Sequence, residues 1–264
     1  MCINRIPKIS IITITYNSEK TIEETIKSII TQDYDNLEYL IIDGGSTDRT
    51  LEIVNKYKDK IDIFISEQDN GISDAFNKGI NHATGEIIGI INSDDLLMPN
   101  ALETISNNYN PQIDVYSGNV LFWNQDTGDE YSCRPDIKFD KLKLQFGVAH
   151  PSRFIRKSAY ENYGLYDINF RYMMDADLLC RFYKRGASFM HIDKDLAKFR
   201  MGGTTADSLH KKKDEFRRFV LNFGGTNNDF ITLWTKKVFK YYIIKISTFI
   251  FGEGFRFVYY RIFN

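Results

Sequence analysis

Cysteine and proline are scarce in this 264-residue chain, and neither sign of charge dominates it. Five prolines and seventeen glycines exclude a collagenous or low-complexity extended protein. Cys2, Cys133 and Cys180 are scattered and form no Cys-x-x-Cys pair. That excludes a disulfide framework and a structural zinc site and points to a reducing, cytoplasmic setting. Thirty-four Lys and Arg balance thirty-five Asp and Glu, a net charge of −1, so no nucleic acid is expected as partner. No run of eighteen apolar residues is present to make a transmembrane helix, and residues 1–8 lack the apolar core of a secretory signal. Neither G-x-G-x-x-G nor G-x-x-x-x-G-K-[ST] occurs, so a dinucleotide fingerprint and a P-loop are both unsupported. What remains is an ordinary globular composition, 43% hydrophobic and 26% charged.

The first 95 residues alternate two periodicities. Ile9 to Thr15 is β-branched almost throughout and suits a strand buried on both faces. Ile22, Ile26, Ile29 and Ile30 make one helical stripe, with a capping box expected from Thr21 and Glu24. Strands over 37–42, 61–65 and 86–91 alternate with helices opening at Thr47 or Asp48 and spanning 72–83. Such alternation predicts βαβ units in an α/β fold with a parallel sheet. Further on, helices are expected at 101–109, 157–162 and 175–185. An antiparallel pair, 115–123 with 130–133, turns through Asp126 to Asp129, and residues 153–155 are strand-like.

Ligands of parallel sheets collect beyond the carboxyl ends of the strands. Four such ends here are rich in Asp, Asn, Gly and Ser: residues 15–17, 43–46, 67–71 and 92–95. Any one of them could be a turn or a helix cap; together they point to a site. Asp94-Asp95 is the sharpest of the four. Adjacent carboxylates at the end of a buried strand repel each other unless a cation lies between them, and hard oxygen donors suit Mg²⁺ or Mn²⁺.

The segments 7–17, Ile42-Asp43-Gly44-Gly45-Ser46-Thr47-Asp48, 69–79, Ala83-Thr84-Gly85-Glu86 and Asn92-Ser93-Asp94-Asp95 resemble family 2 glycosyltransferases. The likeness is closest to the branch that builds bacterial O-antigen and capsule repeats. It covers about residues 7–205. It implies a GT-A fold, a nucleotide-diphospho-sugar donor (most often UDP) and a divalent metal, Mg²⁺ or Mn²⁺. Carried over position by position, Thr15, Tyr16 and Asn17 line the base and ribose pocket. Asp43 binds uracil or ribose, and Asp69 holds the nucleotide near its base. Asp74 and Lys78 approach the diphosphate or sugar, and Asn92 and Ser93 belong to the same donor site. Asp94 touches ribose or metal, and Asp95 is the metal ligand of a DxD-type motif written here as Ser-Asp-Asp.

Downstream, His150-Pro151-Ser152, Gly164-Leu165-Tyr166-Asp167 and Asp175-Ala176-Asp177 continue the resemblance. Asp175 aligns with the general base, and Asp177 is the alternative. Met174 stands where many relatives carry Glu. His150 is a candidate for the metal or the acceptor side, and Arg200 with Gly202-Gly203-Thr204-Thr205 resembles a closing loop. Residues 1–206 are read as the catalytic domain, with a nucleotide half (1–95) and an acceptor half (96–206); residues 207–264 form a helical extension. From Lys211 onward eleven basic side chains face four acidic ones, leaving an acidic body with a basic, aromatic tail. Residues 229–264 are expected either to rest on the inner face of the plasma membrane or to pack on the protein or in a homo-oligomer. The expected function is inverting transfer of a sugar to a glycan or lipid-linked saccharide. The alternatives are a sugar-nucleotide nucleotidyltransferase and a non-catalytic sugar-nucleotide-binding protein.

Overall fold

The computed structural model describes residues 6–125, 127–134, 150–201 and 209–251. The isoleucine-rich start forms β1 (Ile9–Thr15), whose successive side chains enter opposite faces of a sheet. Ile9 and Ile11 join Tyr39 and Ile41 of β2 (Leu37–Asp43) on one face. Ile12 joins Leu40 and Ile42 on the other.

Helices cover both faces, which is why these strands are apolar nearly throughout. The first face receives Ile22, Ile26 and Ile29 of α1 (Ile22–Ile30) and Ile53 and Val54 of α2 (Thr50–Asn55). The second receives Phe76 and Ile80 of α3 (Ile72–His82). Further along the chain, α4 (Ala101–Asn107) adds to the first face, and α5 (Lys157–Tyr163) and α6 (Met174–Lys184) to the second. Each fully buried isoleucine contributes about 1.5–3 kcal/mol. Gly79 lets α3 lie directly on β1, because a Cβ there would stand 2.5 Å from a methyl of Ile12.

β3 (Ile63–Ser66), β2, β1 and β4 (Ile87–Asn92) are neighbours in that order, all parallel. The chain leaves β1 toward β2 on one side and returns to β4 on the other. The carboxyl ends of β1 and β4 therefore flank a topological switch point. Beyond β4 the sheet is mixed. β8 (Arg153–Arg156) is antiparallel to β4 and to β6 (Val115–Trp123), and β9 (Phe189–Arg200) is parallel to β6. The short β5 (Leu96–Leu97) pairs with β9, and β7 (Glu130–Cys133) makes the expected hairpin with β6. This is the α/β, GT-A architecture expected from the sequence, with its parallel part confined to four strands.

Three local expectations are corrected. The twelve-residue β9 is absent from the sequence reading: His191, Asp193, Lys194, Asp195 and Lys198 interrupt its apolar pattern, while Leu196 and Ala197 are fully buried. The capping box of α1 does not form, because Glu24 instead takes Arg200 Nη2 at 2.5 Å. α2 begins at Thr50, whose N–H donates to Asp48 Oδ1 at 3.0 Å.

The tail folds as α7 (Leu209–Asn222) and α8 (Asn227–Phe251). Phe216, Phe219, Val220 and Phe230 pack there against Phe170, Met173 and Cys180. Among the described residues no helix is long and apolar enough to cross a membrane. Asp126, the expected boundary near Asp207 and the segment Gly202–Thr205 lie outside the described residues.

Candidate active site

The switch point is closed by hydroxyls. Ser18, just past β1, shares a 2.7 Å hydrogen bond with Ser93, just past β4. Asn17 adopts a left-handed backbone (φ 49°), which turns the chain sharply out of β1. Its N–H donates to Ser46 Oγ at 2.8 Å, and its Oδ1 accepts from Thr47 N at 2.8 Å. The β1 and β2 loops are thus one unit. Tyr16 stands on their rim, 62% exposed. Thr15 Oγ1 and Asn92 Oδ1 are buried with no hydrogen-bond partner among the described residues.

Asp43, Asp69 and Asp74 are held mainly by their own turns. Asp43 is fully buried at the end of β2. Its Oδ1 accepts from Ser46 Oγ at 2.5 Å, and its Oδ2 from Gly45 N, Ser46 N and Ser66 Oγ at 3.1, 3.0 and 2.7 Å. Asp69 Oδ1 accepts from Gly71 N at 2.8 Å. Its carboxylate also occupies the space a side chain at Gly44 would need, so glycine is required there by close approach. Asp74 accepts from Asn70 N at 2.9 Å. Lys78 pairs with Glu67 at 2.9 Å and lies 3.7 Å from Asp74, and the Glu67 bond raises its pKa, so it stays cationic.

Asp94 and Asp95 follow β4 in a turn sewn down by Arg200. Arg200 N donates to Asp95 Oδ1 at 3.3 Å and its Nε to Asp94 O at 3.2 Å. Its other guanidinium nitrogens reach Glu24 and Gln125, and the group lies 4.8 Å over the Trp123 ring. Thr25 Oγ1 donates to Asp95 O at 2.8 Å. Burial raises the pKa of both acids, and Asp94 raises Asp95 further. Asp95 Oδ2 is a buried acceptor with no hydrogen-bond partner among the described residues. An orphaned carboxylate oxygen beside a second carboxylate fits a hard divalent cation. Among the described residues no three His, Cys, Asp or Glu side chains gather to hold one alone. The remaining ligands would have to be water and phosphate oxygens, as is usual for Mg²⁺.

The acid of the second half is held differently. Asp175, in the first turn of α6, receives Arg153 Nη2 at 2.8 Å on Oδ1. His150 Nδ1 lies 2.9 Å from the same oxygen and 3.2 Å from Arg153 Nη2. The His150 tautomer decides whether Nδ1 donates to the acid or accepts from the guanidinium. Burial opposes ionisation of Asp175, but the Arg153 guanidinium and His150 overrule it and hold the carboxyl well below its ordinary range. Both contacts use Oδ1. Oδ2 makes no hydrogen bond among the described residues, in a side chain that is 32% exposed. Phe76 of α3 stacks on His150 at 4.7 Å and 12°.

Asp175 and Asp177 do not share a face, since two residues on a helix are about 200° apart. Asp177 is buried and accepts from Arg181 Nε at 2.8 Å. That arginine in turn donates to the carbonyls of Tyr163 and Leu165. The pair therefore clamps the 163–165 turn. His150 is placed with Asp175, Arg153 and Phe76.

The topology nevertheless brings the groups to one end of the sheet. Asp43 ends β2, Asp69 lies three residues beyond β3, and Asp94 follows β4. β8 runs antiparallel to β4 with Gly89 opposite Phe154, so the His150–Ser152 turn before β8 lies beside the carboxyl end of β4. Arg153 was missed by the sequence reading. Its only local signal is a charge opening an otherwise buried strand, where it is 3% exposed.

Residues 10–164 match the family described as glycosyl transferase family 2. The chain belongs to this family. An uncharacterized glycosyltransferase of Rickettsia typhi is 33% identical over 190 residues, 67% of this chain and 59% of that protein. The chain therefore spans little more than half the length of that relative. Among solved structures, Staphylococcus aureus TarS in complex with UDP-GlcNAc aligns with a TM-score of 0.64 at 20% identity, over 81% of this chain and 66% of that one. The mannosyltransferase PcManGT of Pyrobaculum calidifontis, in complex with GDP-Man and Mn²⁺, aligns with a TM-score of 0.62 at 18% identity, over 82% and 63%. At these identities the two structures speak for the fold; the family membership and the glycosyltransferase relative support the enzyme class.

Proposed function

We propose that this chain is an inverting, metal-assisted glycosyltransferase. It takes a nucleotide-diphospho-sugar, expected to be a UDP-sugar, and delivers the sugar to a glycan or lipid-linked saccharide in cell-surface polysaccharide biosynthesis. One observation carries the reading: a partly exposed Asp175, bonded to the Arg153 guanidinium, stands at the same end of the sheet as the Asp94-Asp95 turn. Family membership and the nucleotide-sugars bound to TarS and PcManGT support it.

Thr15, Tyr16, Asn17 and Asp69 would form the nucleoside rim, with the exposed Tyr16 ring able to stack on a base, and Asp43, buried beneath, would hold the β2 side of that rim in shape. Asp74, Lys78, Asn92 and Ser93 line the approach to the diphosphate, where the Lys78 ammonium can face phosphate oxygens. Asp95 with Asp94 would hold Mg²⁺ or Mn²⁺; such an ion neutralises charge on a departing diphosphate without a proton donor. Asp175 receives the acceptor proton at Oδ2. Its lowered pKa keeps it ionised but makes it a weak base, so the proton moves late, once the attacking oxygen has become acidic through bond formation. No enzyme nucleophile is assigned, and a single displacement inverts the anomeric centre.

The test is nucleoside diphosphate release from a panel of donors, with and without Mn²⁺, and NMR of the product anomer. Metal-dependent release with inversion is expected. Pyrophosphate formed from a nucleoside triphosphate and a sugar phosphate would instead identify a nucleotidyltransferase. Donor binding without any turnover would identify a non-catalytic binder.

The distal half of α8 is assigned to an anionic lipid surface. It exposes Phe239, Tyr242, Ile243 and Ile246 beside Lys236, Lys240 and Lys245. Apolar residues flanked by ammonium groups complement acyl chains and acidic headgroups. Co-sedimentation with phosphatidylglycerol vesicles should fall at least tenfold on Phe239→Glu with Ile246→Glu. Unchanged sedimentation, or self-association in light scattering, would remove the lipid assignment.

A further inference from the structure

The helix that carries Asp175 has no cap of its own. Met173 occupies the N-cap position of α6 and makes no side-chain cap hydrogen bond. The first N–H groups of a helix lack intrahelical partners, and so do those of the residues leading into it. Here the acceptor comes from the tail. Glu215 of α7 receives the N–H of Arg171 at 3.0 and 3.1 Å on its two oxygens. Its Oε2 also receives those of Tyr172 at 2.7 Å and Met173 at 3.2 Å. One carboxylate therefore gathers three consecutive backbone donors, ending two residues before Asp175.

The clamp has two jaws. On the α7 side, Arg218 lies 4.3 Å over the Phe170 ring and donates to Asn169 O at 2.5 Å, while Phe219 is fully buried in the same contact. On the α3 side, Ser73 Oγ donates to Phe170 O at 2.8 Å, and Asn77 exchanges two hydrogen bonds with the backbone of Tyr166. Residues 166–173 are thus pinned between the donor-side helix and the tail. The negative charge of Glu215 also sits at the positive end of the α6 dipole.

We propose that Glu215 is the positioning residue for Asp175. It fixes residues 171–173 at the entry to α6 and so sets where the carboxylate two residues on meets the acceptor, which makes α7 part of the working centre. This rests on the reading of Asp175 as the base. A displacement of about 1 Å in a catalytic group can cost a hundredfold in rate.

The test compares Glu215→Ala, Glu215→Gln and Ile105→Ala in the full chain, below all their melting midpoints. Glu215→Ala should lower kcat about ten- to a hundredfold with donor KM and UDP affinity within twofold of the parent. Glu215→Gln keeps one acceptor oxygen and should recover most of that loss. Ile105→Ala, which destabilises the core on the opposite face of the sheet and leaves the clamp intact, should retain kcat within about threefold. A normal kcat in Glu215→Ala, no recovery in Glu215→Gln, or an equal kcat loss in Ile105→Ala would each overturn the proposal. Asp175→Asn, run alongside, separates the two levels: if it turns over normally, the base assignment fails independently of Glu215.

Discussion

The two halves of the site hold their acids by different means. Within the first 95 residues the partners are backbone N–H groups and hydroxyls, most of them in the acid's own turn, as Asp43 with Gly45 and Ser46 and Asp69 with Gly71 show; Ser66 on Asp43 and the Arg200 N–H on Asp95 come from farther off. Farther along the chain Asp175 is held by the Arg153 guanidinium and the His150 ring, both more than twenty residues distant. A carboxylate held by its own turn shapes a loop. One held by a buried guanidinium has its proton affinity set and its position fixed by tertiary structure.

That contrast can be broken experimentally. The largest expected effect is from Asp175→Asn, which should lower kcat by about 10²- to 10⁴-fold while UDP affinity by calorimetry stays within twofold. Normal turnover would mean the acceptor half holds no base at this position. Next is Asp43→Ala. It removes the acceptor of Gly45 N, Ser46 N and Ser46 Oγ in the β2 loop and of Ser66 Oγ at the end of β3, and should destabilise the fold by about 2–4 kcal/mol in urea melts. A variant that melts like the parent but loses donor binding would show that Asp43 serves the ligand more than its turn.

The smallest effect concerns pH. Arg153 lowers the Asp175 pKa, so the parent should show no acid limb in kcat/KM from this group above about pH 4. Arg153→Met removes the opposing charge and lets the pKa rise. The limb should then move upward, into the range of about pH 4–6. The stability linked to Asp175 has the same sign: it is present above the ordinary carboxylate pKa and is lost as pH falls. A superimposable pH profile in Arg153→Met would detach the guanidinium from control of the acid.

The same division explains what the sequence made legible. Isoleucine stripes and acidic strand ends are local patterns, and they located β1, β2, β4, α1 and α3 and the Asp94-Asp95 turn. β9 escaped because charges break its alternation. The failed Thr21–Glu24 box escaped because a local rule lost to Arg200, 176 residues away. Arg153 and Glu215 act only across the folded chain, where no short window of sequence carries their signal. Asp177 was legible as an acid but not as the partner of Arg181, since only the α6 face decides between the cleft and the clamp.

Arg200 has a practical consequence for building hybrids of this protein. Its side chain meets Glu24, Asp94, Gln125 and Trp123, while its backbone meets Asp95. A recombination junction that separates residue 200 from any of these would bring together halves that never coevolved around one guanidinium. Lysine, with a single ammonium and no planar fork, could not stand in for it. Swaps meant to change the acceptor should therefore carry these positions as one inherited block.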